Sequence, residues 1–152
     1  SFPTRRSYDF KLADLSLNNL MTNAQGLDFP VGVGGPVERN TLHFLHRNNS
    51  DLEMSTKISD NIYWGGDYDQ VTSRLRFGDA SENDFLFYVG YSGWSAGQLE
   101  EEISNNSWIV FPRATEQLVF NTRKNNLWKE VLNQMGGRFS VYANYPFDPR
   151  LN

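Results

Sequence analysis

Cysteine is missing from all 152 residues. That excludes a disulfide framework and every thiolate metal site. It fits a reducing cytoplasm, although a processed secreted chain without cysteine would share the feature. No stretch approaches the roughly 20 apolar residues of a membrane span. The opening SFPTRRSYDF has no apolar run of signal-peptide length. The expectation is a cytoplasmic protein with no membrane association. Positive charge is scarce: 14 Lys and Arg stand against 18 Asp and Glu, a formal net charge of −4. Nucleic-acid affinity rests largely on clustered Lys and Arg. Here Arg5–Arg6, Arg74, Arg76 and Arg123–Lys124 are interspersed with acids, and no block of five like charges exists. Histidine occurs only at positions 43 and 46, and neither HExxH nor GxSxG is present. On a regular strand His43 and His46 face opposite sides and cannot share a metal. No metal, cofactor or catalytic residue is expected, and the balance is against an enzyme.

Aromatic residues, by contrast, make up 14% of the chain and can supply much of a core. A chain of this length suits one domain, which hides roughly 68–70% of its unfolded surface. Elements alternate at short intervals. The spacing of Leu12, Leu15 and Leu20 predicts a helix over 9–20, with Asp9 as cap. PVGVGGPV (30–37) is a short apolar run closed by a glycine turn. TLHFLH (41–46), MSTKI (54–58) and NIYW (61–64) are strands, with a polar loop at 47–53. DYDQVTSRLRFG (67–78) is a helix capped by Asp67 and stopped by Gly78. DFLFYVGY (84–91) and SWIVF (107–111) are predicted buried strands. NNLWKEVLNQMGG (125–137) is an amphipathic helix with Leu127, Val131 and Gln134–Met135 at its inner edge, ended by Gly136–Gly137. The tail from 138, with its two prolines, is expected to be extended. The pattern predicts an α+β fold: a single domain, 1–152, with short helices on a mixed or mostly antiparallel sheet.

GYSGWSAGQLEEEI (90–103) has the densest signals. With Ser95 as N-cap, Gln98 falls at N3 and completes a capping box. Trp94 and Leu99 then form the hydrophobic staple, and the predicted helix runs from 96 to 104. Leu99 and Ile103 share its inner face and Glu101 points to water, flanked by Glu100 and Glu102. Three adjacent helical carboxylates diverge, so they cannot chelate one ion. The block is chiefly a strand-to-helix corner, turned by Gly90 and Gly93. Its outer side, with Trp94, Gln98, Glu100, Glu101 and Asp67, is a candidate binding surface. The glycine clusters Gly34–Gly35–Pro36 and Gly65–Gly66 are turns. The first is followed by a strand, not by the helix N-terminus that phosphate binding needs. At the second, the Asp67 cap would repel an anion.

Taken in order, GGPV (34–37), LHFLH (42–46), YWGGD (63–67), GYSGWSAGQLEEEI (90–103), NSW (106–108), LVF (118–120) and LW (127–128) resemble the AlgH/YqgE family of bacterial proteins. The tail NYPFDPRLN is similar to the family's Bacteroidetes branch. The resemblance covers about residues 28–152. It implies a compact α+β fold with a central, partly barrel-like sheet, and a label as transcriptional regulator. It implies no established catalytic residue, cofactor or DNA-binding motif. It also exposes a departure: a pair of apolar strands is missing between FPTRRS and DFKLADLSL. The expectation is that a stretch is omitted between Ser7 and Tyr8. Three functions follow as candidates. The favoured one is a regulatory or interaction protein acting on an unidentified protein partner. The second is a regulator binding DNA, although specific DNA binding by this chain alone is not expected. The third is a small-molecule binder or enzyme with a groove near Trp94, Gln98, Glu101 and Asp67. The oligomeric state stays open.

Overall fold

The computed structural model describes residues 15–120 and 127–144. The expected cap Asp9, the helix position Leu12, the Ser7–Tyr8 junction and the tail beyond residue 144 lie outside the described residues. The fold is α+β, a mixed sheet with short helices. The chain divides into two compact units, Ser1–Ser95 and Ala96–Asn152.

The first unit holds the sheet. Strands β1 (Val31–Val33), β2 (Val37–His46), β3 (Thr56–Ser59), β4 (Ile62–Trp64) and β5 (Phe85–Tyr91) lie in the order β1-β5-β2-β4-β3. Strand β5 pairs parallel with β1 and antiparallel with β2. The uninterrupted apolar run is therefore the flanked, buried strand that its lack of alternation predicts. Strands β3 and β4, both expected as strands, pair antiparallel and turn through Asn61 at φ 53°. Among the described residues, β1 and β3 remain edges, so the sheet is open and not closed into a barrel.

One face of this sheet carries the core. Phe44 lies opposite Phe87 and His46 opposite Phe85, so their side chains share a face. The rings of Phe44, Phe85 and Phe87 sit 5.7–6.2 Å apart. Helix α2 (Tyr68–Phe77) covers them, with Val71 fully buried and Tyr68 edge-on to Phe44 at 5.1 Å. It forms as its sequence dictates. The Asp67 side chain accepts the Gln70 N–H at 2.9 Å, and Gly78 ends the helix at φ 79°. Each fully buried side chain of this size stabilises by about 1.5–3 kcal/mol.

The helix predicted over 9–20 is corrected in its described part. Only Leu17–Leu20 is helical (α1), and Ser16 instead bridges Pro30. Leu17 is the buried residue and Leu20 is exposed, because the Leu17 N–H donates to the Phe29 carbonyl at 2.9 Å. A short helix is marginal alone, and these non-local backbone bonds win over its periodicity.

The second unit contains α3 (Gln98–Ser104), α4 (Glu116–Phe120), α5 (Leu127–Met135) and α6 (Arg138–Tyr142). Three expectations are corrected here. SWIVF (107–111) forms no strand, and Trp108, Ile109 and Val110 are exposed. The Ser107 N–H donates back to the Glu102 carbonyl at 2.9 Å and Asn106 adopts φ 54°. The chain is thus spent on closing α3 where a ladder would have to start. In α5 the fully buried residue is Leu132, one position along from Val131, and Gln134 is exposed. Residues 138–142, expected to be extended, form α6, because Pro146 and Pro149 lie too far downstream to break it.

Candidate functional site

Two glycine motifs interlock at one end of the first unit. The Gly34 N–H donates to the Val89 carbonyl at 2.9 Å. A Cβ on Gly34 would lie 2.4 Å from the Gly90 carbonyl oxygen, and one on Gly35 only 2.2 Å from the Tyr91 carbonyl. Gly90 itself adopts φ 67°, and its Cβ would lie 2.7 Å from the Gly35 oxygen. Backbone packs on backbone, which only glycine permits. GGPV and GYSGW are therefore one feature: the exit of β1 clamps the end of β5 and fixes where Tyr91 stands. Gly93 is different, since its Cβ would meet only the Tyr91 ring, 3.3 Å away.

A bulge does the corresponding work on β2. The β2–β5 register shifts between Val37 and Leu42, and Glu38 takes the left-handed φ of 45°. Bulges re-aim the residues that follow them. Here Thr41 follows, and its Oγ1 lies 2.7 Å from the Glu38 carbonyl and 2.9 Å from His43 Nε2. A carbonyl can only accept, so the single hydroxyl proton goes to Glu38. Thr41 therefore accepts from His43, and the proton of the neutral imidazole sits on Nε2. That leaves Nδ1 as an acceptor, with no partner among the described residues.

The imidazole stands between two rings. Trp64 of β4 is 5.4 Å from it at a 35° tilt, and Tyr91 is 5.7 Å away edge-on at 81°. Tyr88 is its cross-strand neighbour, and Gly32 clears room for that ring, since a Cβ there would come within 2.9 Å of Tyr88. From the other face, the Tyr68 hydroxyl donates to the Leu42 carbonyl, tying the strand just before His43 to α2. The result is a half-open aromatic niche with an imidazole at its centre. Trp64 is 44% exposed, and its indole N–H has no partner among the described residues. LHFLH, YWGGD and GYSGW each contribute one ring.

His46 meets the opposite fate. Its ring is fully buried between Tyr63 at 5.2 Å and Phe85 at 5.9 Å. Neither ring nitrogen reaches a partner at hydrogen-bonding geometry. Burial holds its pKa below the ordinary histidine value, opposed by the nearby Gly65 backbone, which favours the charged form, and aided by the Arg74 charge. Arg74 is fixed nearby by two hydrogen bonds to Asp51, 2.9 and 3.0 Å, which hold that carboxyl below its usual range.

The residues singled out by sequence are distributed over both units. Asp67 is committed to the α2 cap. Gly65 and Gly66 turn β4 into α2 at φ 67° and 141°, and Gly66 packs where a Cβ would strike Leu52 at 2.5 Å. Pro36 is exposed at the bend after Gly35. Trp94 is 39% exposed, three residues beyond Tyr91. In the second unit, α3 begins two residues later than expected. Its N-cap is Gly97 at φ 80°, not Ser95. Glu100 and Glu101 are exposed. Glu102 is the engaged carboxylate: it accepts from the Gln98 amide at 2.9 Å and the Trp108 indole at 2.7 Å. Sequence reasoning weighed His43 as a metal ligand and did not bring Thr41, Trp64 and Tyr91 to it. The available signal was one ring in each of three separate motifs.

A family model described as AlgH-like matches residues 10–140. A UPF0301 protein of Chlorobium limicola is 32% identical over 151 residues, 99% of this chain and 78% of the relative. One of Cytophaga hutchinsonii is 36% identical over 143 residues, 93% of this chain and 78% of the relative. The solution structure of the AlgH protein from Pseudomonas aeruginosa shares the fold at a TM-score of 0.62 and 23% identity, over 89% of this chain and 74% of that one. The crystal structure of protein DIP2367 from Corynebacterium diphtheriae does so at 0.61 and 16% identity, over 87% and 71%.

Proposed function

This chain belongs to the AlgH-like family of bacterial proteins, and from that premise we propose that it is a regulatory or interaction protein that works by contact with another protein. One observation carries the reading. Trp64 stands 44% exposed beside His43 and Tyr91, on a sheet surface shaped by a bulge and a glycine clamp. Trp and Tyr are enriched at the energetic centres of protein interfaces, where they supply large area at low entropic cost. A backbone strained at Glu38 and an imidazole with a fixed tautomer are devices of recognition more than of packing. The acidic balance of the chain supports a protein partner over a nucleic-acid one.

The test is quantitative affinity capture from the native host, comparing the wild-type chain with Trp64→Ala at equal fold content. The expected result is a small set of proteins recovered with wild type and depleted with the variant. Identical recoveries from the two baits would contradict the proposal.

A further inference from the structure

The niche also says what part of a partner it fits, an inference that rests on the reading above. Its polar groups form a complementary pair. His43 Nδ1 is an acceptor, because Thr41 holds the proton on Nε2, and the Trp64 indole N–H is a donor. Their rings are 5.4 Å apart. A peptide unit carries the matching pair, one N–H and one C=O. The walls are ring faces and edges: Trp64 tilted against His43, and Tyr91 edge-on. Such a surface takes another ring, aromatic or prolyl, in a stacked or edge contact. The groups that form it, the imidazole of His43, the Thr41 hydroxyl and the rings of Trp64 and Tyr91, offer no carboxylate, ammonium or guanidinium to a charged side chain. A nucleobase could stack equally well, but stacking sites for nucleic acid come with a basic groove, and this chain carries a net charge of −4.

We infer that the His43–Trp64–Tyr91 niche binds an uncharged peptide segment of the partner, stacking a proline or aromatic ring on Trp64. In that complex His43 Nδ1 accepts a backbone N–H, and the Trp64 indole donates to a peptide carbonyl. Thr41 is the positioning residue, since it keeps Nδ1 free to accept.

Two measurements on the full, nitrogen-15-labelled chain test this. The first reads the tautomer of neutral His43 by side-chain NMR. Nε2–H is expected in wild type and in Thr41→Ser, and loss of the preference in Thr41→Val. A wild-type Nδ1–H tautomer overturns the inference. The second titrates the chain with N-acetylprolinamide and N-acetyltryptophanamide, using uridine as the competing chemistry. Saturable shifts of the Trp64 indole N–H and the His43 ring are expected with at least one amide. Binding should weaken about tenfold in His43→Phe, which keeps the ring and removes the acceptor. No shift with either amide, or a stronger response to uridine, overturns it. If both amides fail while capture still depends on Trp64, this inference falls and the protein-contact reading stands.

Discussion

At the scale of single residues, the glycines have unequal tasks, and the difference is measurable. Gly35→Ala must push its Cβ into the Tyr91 carbonyl, and Gly90→Ala sets a Cβ 2.7 Å from the Gly35 oxygen at a left-handed φ of 67°. Both should destabilise by about 3 kcal/mol or more in urea melts, at the severe end for single substitutions. Gly93→Ala meets only a side-chain edge and should stay within about 0.5 kcal/mol. The two histidines are equally unlike. His46 is buried uncharged, with its pKa lowered chiefly by burial. Between that lowered value and the unfolded value of about 6.5, the unfolded chain binds the extra proton. Its contribution to stability is therefore complete above that unfolded value and is lost as pH falls below it. His46→Phe, which keeps a ring between Tyr63 and Phe85, should flatten the decline in denaturation midpoint between neutral and mildly acidic pH. An unchanged decline would show that other groups cause it. Sequence spacing placed the two histidines on opposite faces of one strand. It could not show which face would be core, nor that a strained Glu38 would bring Thr41 under His43.

At the scale of elements, local chemistry was legible where one signal acted alone. Asp67, Tyr68–Val71–Leu75 and Gly78 define α2, and the structure uses each as expected. Asp67→Ala should cost about 1 kcal/mol through loss of the Gln70 N–H bond, read in a urea melt. Legibility failed where the backbone conformation of a single residue competed with the pattern. The helix start expected at Ser95 falls instead at Gly97, whose φ of 80° begins α3 two residues later. Gly97→Ala should accordingly cost about 1–2 kcal/mol for a left-handed non-glycine residue. The strand-like SWIVF is preceded by Asn106 at φ 54°, and the Ser107 N–H at its start is engaged by the Glu102 carbonyl. Neither event leaves a mark in hydrophobic periodicity.

At the scale of the whole molecule, surface composition decides what the protein can meet. The chain is acidic, with basic residues dispersed among acids. A gel-shift series at low salt should show no sequence-selective duplex DNA binding, and a selective shift that persists near physiological ionic strength would contradict this. The second unit exposes Trp108 (49%), Ile109 and Val110 in succession. The first unit instead presents its exposed tryptophan within an ordered niche, and the functional reading depends on that niche. Photo-crosslinking in the native host tests it most directly, with a benzoylphenylalanine in place of Trp64 and a control in place of the exposed Ser73 on α2. The expected result is one or a few discrete protein adducts from position 64 and none of them from position 73. The same adducts from both positions, none from position 64, or adducts to nucleic acid alone would contradict a protein-contact role for this face.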